Sequence, residues 1–148
     1  MVARAALAGL LLAAAPCLAD ESPVPGALEQ VGLLGTWAID CAQPASPTDE
    51  YAVYSVSSAG AATLAYTRGA PYRDIVYVVE SAERRPDDRL ALRVSRRTEK
   101  IVVDLVLVKT DNTIRVWSSH GLGGRMLVID GIITGDGVES PSFKRCGP

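Results

Sequence analysis

Three observations predict an all-β fold, an antiparallel meander that closes into a small eight- or nine-stranded barrel. From Tyr51 onward, short runs of alternating apolar and polar residues succeed one another, about a dozen residues apart. The segments joining them are rich in Gly, Pro, Asp and Asn and too short for crossover helices, so neighbouring strands run antiparallel. Cys41, just past the first run, and Cys146, in the last, are placed to tie the two ends of the meander together.

Ahead of the strands, Met1–Ala19 reads as a secretory signal that is cleaved near Ala19. Arg4 precedes an apolar run from Ala5 to Ala15, Pro16 breaks it, and Ala19 supplies a small residue for cleavage. That run is shorter than the roughly 20 residues a spanning helix needs, so the mature chain is not expected to span a membrane. Lipidation of Cys17 is the alternative to its removal, although Pro16 beside the scissile bond disfavours it. The expected location is periplasmic or secreted.

Residues 20–34 read as a lead with a short helix, and residues 35–148 as a single barrel domain. A domain of this size buries about two-thirds of its unfolded surface and needs no metal to fold. The 15 basic residues, less Arg4, stand against 17 acidic ones, which leaves −3 for the mature chain. So weak an acidic balance argues against nucleic acid as the main partner. With Cys17 gone, Cys41 and Cys146 form the one available pair, and an isolated pair in an oxidising compartment is normally a disulfide. A bridge across such a separation stabilises by about 4–5 kcal/mol in the chain-entropy description.

Along the chain, Ala27–Val31 has helical propensity, limited by Gly32, and predicts a turn or two of helix over the barrel's mouth. Thr36–Ile39 begins the first strand. Two prolines make Gln43–Thr48 a loop. Tyr51–Ser57 places Ala52, Tyr54 and Val56 on one face, and after the turn Ser57–Gly60 the next strand, Ala62–Thr67, follows. Arg73–Glu83 is apolar on both faces at its centre. Arg89–Arg96 alternates cleanly, with Leu90, Leu92 and Val94 inward and Arg89, Arg93 and Ser95 outward. Ile101–Lys109 is apolar on both faces except at Asp104, and Asp111-Asn112 is a tight-turn pair. Thr113–Ser119, Arg125–Ile133 and Ser142–Cys146 complete the set.

Gly35-Thr36-Trp37, opening a first strand behind a helical turn, resembles the start of a lipocalin or related calycin barrel. That resemblance implies an eight-stranded meander around a cavity for a small apolar ligand. It also implies that Trp37 closes one end of the barrel, with a late arginine, Arg145 or else Arg125, packed across its ring. The Asp40-Cys41 pair, the proline-rich loop and the closing Arg145-Cys146 are similar to uncharacterised exported proteins of Gram-negative bacteria, which implies a compartment but no activity.

Tyr54, Tyr66, Tyr77 and Trp117 are the candidate ligand-binding residues, because aromatic walls with a few polar tips are how cavities hold ligands. The competing expectation is an interior filled by its own side chains. His120, Gly121, Gly123, Gly124 and Arg125 could present donors to an anion, but the loop opens no helix and the lone histidine reads as solvent-exposed. Arg84, Arg85, Arg89, Arg93, Arg96 and Arg97 read as a solvated face offset by nearby acids. No Gly-x-Ser-x-Gly elbow and no second histidine is present, so no catalytic residue, metal or cofactor is predicted. The expectation is a non-enzymatic barrel whose partner is a small apolar molecule; the alternative is a filled barrel acting through its surface on an envelope protein.

Overall fold

The computed structural model describes residues 23–121 and 126–147. The predicted signal at 1–19, Cys17, and the loop residues 122–125 with Arg125 lie outside them. Helix α1 (Pro23–Gln30) begins before the expected Ala27, because Pro23 and Pro25 occupy a first turn whose N–H groups have no helical partner. Gly32, at φ 62°, ends it. There the Leu33 amide donates to the Leu28 carbonyl at 2.9 Å and the Gly32 amide to Glu29 at 2.8 Å, a Schellman closure. Val24, Leu28 and Leu33 are thereby buried and the helix packs on the sheet.

The strands follow in a meander: β1 (Gly35–Ala38), β2 (Tyr51–Val56), β3 (Ala62–Thr67), β4 (Ile75–Arg84) and β5 (Leu90–Arg96). A single turn of 3₁₀ helix leads to β6 (Ile101–Lys109), then come β7 (Thr113–His120), β8 (Met126–Ile129), β9 (Ile132–Ile133) and β10 (Ser142–Cys146). Each of β1 to β7 pairs antiparallel with the next, and β10 pairs with both β1 and β7. Eight strands therefore close a barrel, with β8 and β9 outside the ring. The S–S bond joins Cys41, in the turn after β1, to Cys146 in β10, with Cα atoms 5.4 Å apart.

One expected strand, Arg125–Ile133, is in its described part a hairpin. Asp130 (φ 49°) and Gly131 (φ 78°) both have positive φ, the requirement of a type I′ turn, and Val128 faces Ile133 across it. Asp-Gly between apolar pairs is the strongest short hairpin signal, and it outweighs the apolar continuity that suggested one strand. A Cβ at position 131 would overlap the Arg115 guanidinium. Ala52, Tyr54 and Val56 share one face of β2, and Val56, at its end, is exposed while Ala52 and Tyr54 are buried.

Trp37 is wholly buried at the helix end of the barrel, its indole N–H donating to the Leu33 carbonyl at 2.8 Å. The Arg145 guanidinium lies 5.6 Å from the ring centroid and Lys109 Nζ 5.9 Å. Arg145 also donates to the Gly32 and Leu34 carbonyls at 3.2 and 3.0 Å, so one side chain ties the last strand to the segment entering the first. Gly35 in that segment holds φ 128°, a conformation side chains rarely adopt. Truncation of a core tryptophan costs about 3–5 kcal/mol. Trp37→Ala is accordingly expected to lower the melting temperature by more than about 10 °C, and a calorimetric midpoint within 2 °C of wild type would show the ring is no plug.

Candidate functional site

The strand period carries alternate side chains into the barrel, and their sizes decide where it is full. At the helix end Trp37, Leu28, Leu33, Leu90 and Leu107 fill the section. Toward the opposite end Leu64, Val94, Val103, Leu105, Val116 and Ser119 face a cavity of about 320 Å³. Tyr66 of β3 and Tyr77 of β4 form part of its wall, with their ring centroids 6.3 Å apart and planes at 88°. Leu127, Val128 and Ile133 of the β8–β9 hairpin form another part. The strand pair outside the ring is thus a wall of the cavity.

The four aromatic candidates separate. Tyr66 and Tyr77 share the cavity. Tyr54 lies deeper, almost wholly buried, beside a space of only about 10 Å³ bounded by Ala52, Tyr66 and Phe143. Trp117 does not line the cavity. It sits where the β6–β7 register slips between Val106 and Leu107, and Arg89, an outward residue of the β4–β5 turn, stacks over its ring at 4.2 Å. Alternation from the inward Ile114 and Val116 already turns Trp117 outward, and the extra residue in the pairing then returns Ser119 to the inside.

Burial drives the Tyr54 phenol well above its ordinary range, with a smaller contribution from Tyr66. Burial likewise raises Tyr66, followed by Tyr77 and Glu50. Both therefore stay neutral donors. At the rim the Arg96 guanidinium lies 5.8 Å from the Tyr77 centroid and is held by Glu99.

A second concavity, about 490 Å³, lies on the outer face of β4–β7. Register aligns Ser81, Arg93, Asp104 and His120 in one row across four strands. Arg93 donates to Asp104 through Nε at 2.7 Å and Nη2 at 3.0 Å. This hydrogen bond, together with the Arg93 and His120 charges and against partial burial, holds the Asp104 carboxyl below its usual range. His120 ends β7 exposed, as expected; the glycine-rich loop after it, disfavoured as an anion site, falls largely outside the described residues. The arginines of the β4–β6 region are largely paired: Arg84 with Asp88, Arg89 with Asp87, Arg93 with Asp104 and Arg96 with Glu99. Ser95 faces outward as expected but is covered there and donates to Glu80 at 2.6 Å.

Among the described residues no helix is long and apolar enough to cross a membrane, and no group of three or more His, Cys, Asp or Glu is placed to hold a metal. In comparisons with known proteins, no family model, no curated protein and no solved structure matches this chain.

A phenol raised in the folded state favours folding below the unfolded value of about 10, and that contribution is lost as the pH rises beyond it. Tyr54 and Tyr66 should therefore ionise only as the barrel opens. Phenolate absorbance followed beside circular dichroism above pH 10 is expected to show a late cooperative step coincident with loss of β signal. Smooth ionisation of all five tyrosines with the fold retained would contradict their burial.

Proposed function

We propose that this protein is a non-enzymatic, exported, lipocalin-like barrel that binds a small apolar ligand between Tyr66, Tyr77 and the β8–β9 hairpin. The observation that carries the proposal is the apolar cavity at that end of the barrel. A volume of about 320 Å³ is at the low end of small-molecule sites and far above a packing defect. Among the described residues its wall is apolar apart from two phenols and the Ser119 hydroxyl, the composition that desolvates a hydrocarbon and leaves a few groups to orient it. Export rests on the Met1–Ala19 pattern together with the disulfide, which belongs to oxidising compartments. The Gly35-Thr36-Trp37 opening and the Arg145 contact to Trp37 support the resemblance to lipocalins.

One observation favours the second reading, an interaction with an envelope protein through the outer surface. The β8–β9 hairpin exposes Leu127, Ile129 and Ile132 together. Scattered apolar residues are ordinary, but several on one short hairpin mark a contact surface.

Native mass spectrometry of protein purified gently from its own host separates the two. A co-purifying small molecule, released on denaturation, is expected for the carrier. A mass equal to the bare chain, with no uptake of added apolar probes, would favour the surface reading.

A further inference from the structure

We infer that the cavity takes a neutral apolar molecule with one hydrogen-bonding group, such as an alcohol, ketone or ester, and discriminates against the corresponding carboxylate. This rests on the carrier reading above and narrows its ligand to a chemical class.

The inference follows from what the cavity wall lacks. Among the described residues its lining consists of aliphatic side chains, Tyr66, Tyr77 and Ser119, with no charged side chain. Ser119 is only 4% exposed, so a ligand group that reaches it has left water behind. A carboxylate moved into such surroundings loses its hydration, and neutral hydroxyl donors offset only part of that cost. A hydroxyl or carbonyl loses far less and is satisfied by one donor.

Among the described residues the cation against this aromatic wall is Arg96, 5.8 Å from the Tyr77 ring centroid. Its guanidinium is already held by Glu99, so the pair presents little net charge to the cavity. A ligand carboxylate drawn to Arg96 would have to displace Glu99 or sit beside it, and two like charges sharing one cation repel. Burial keeps the Tyr66 phenol protonated, so the wall stays free of charge of its own through the neutral range.

The test uses the mature chain and a fluorescent neutral reporter, N-phenyl-1-naphthylamine, displaced at pH 8 by 1-decanol or by decanoate, each below its micellar concentration. The two competitors share a chain and differ in head-group charge. Decanol is expected to displace the reporter at a concentration at least about tenfold lower than decanoate, a modest ratio against the cost of burying an unpaired charge. Equal potency, or a preference for decanoate, would overturn the inference and leave the carrier reading standing. Binding of neither reporter nor decanol would overturn both.

Discussion

The grip of Arg145 on the segment before β1 is the contact on which the barrel depends. A meander of paired strands can remain an open sheet with two exposed edges; it becomes a barrel only when the last strand finds the first. Here β10 lies beside β1, and Arg145 reaches under the barrel to the Gly32 and Leu34 carbonyls while covering the Trp37 ring. Trp37 in turn donates to Leu33, whose position follows from the Schellman turn at Gly32. Helix end, first strand and last strand are one hydrogen-bonded unit, and the Cys41–Cys146 bridge makes their proximity covalent.

That unit has a consequence for the other end. Because α1, Leu33 and Trp37 fill the section near β1's start, the core is complete there without help from the far half. At the far half the β8–β9 hairpin pairs with the end of β7 beyond its stretch beside β10 and walls the cavity. Stability is concentrated at the helix end and space at the other. A cavity can form because the barrel is not relying on that half for its plug.

Much of this was legible in the sequence because alternation and turn chemistry are local. Ile101–Lys109 and Ser142–Cys146 were readable to the residue, and the cysteines pair as their number and compartment imply. The hairpin at Asp130-Gly131 was equally legible from its dipeptide, but the apolar run on both sides masked it. What could not be read is register. The alignment of Ser81, Arg93, Asp104 and His120, and the bulge that returns Ser119 to the inner face after Trp117, depend on how strands slide past one another. No single strand carries that information. Cavity volume is hidden for the same reason: it is a difference between enclosed space and summed side chains, and the enclosed space is known only once the strands are placed.

The most direct test of a ligand site inside the barrel is an amide NMR titration of the folded chain with a neutral apolar probe such as 1-decanol. Shift changes confined to Tyr66, Tyr77, Ser119 and Val128 are expected. Changes concentrated on the outer row of Arg93, Asp104 and His120, or on no residue at all at saturating probe, would contradict it.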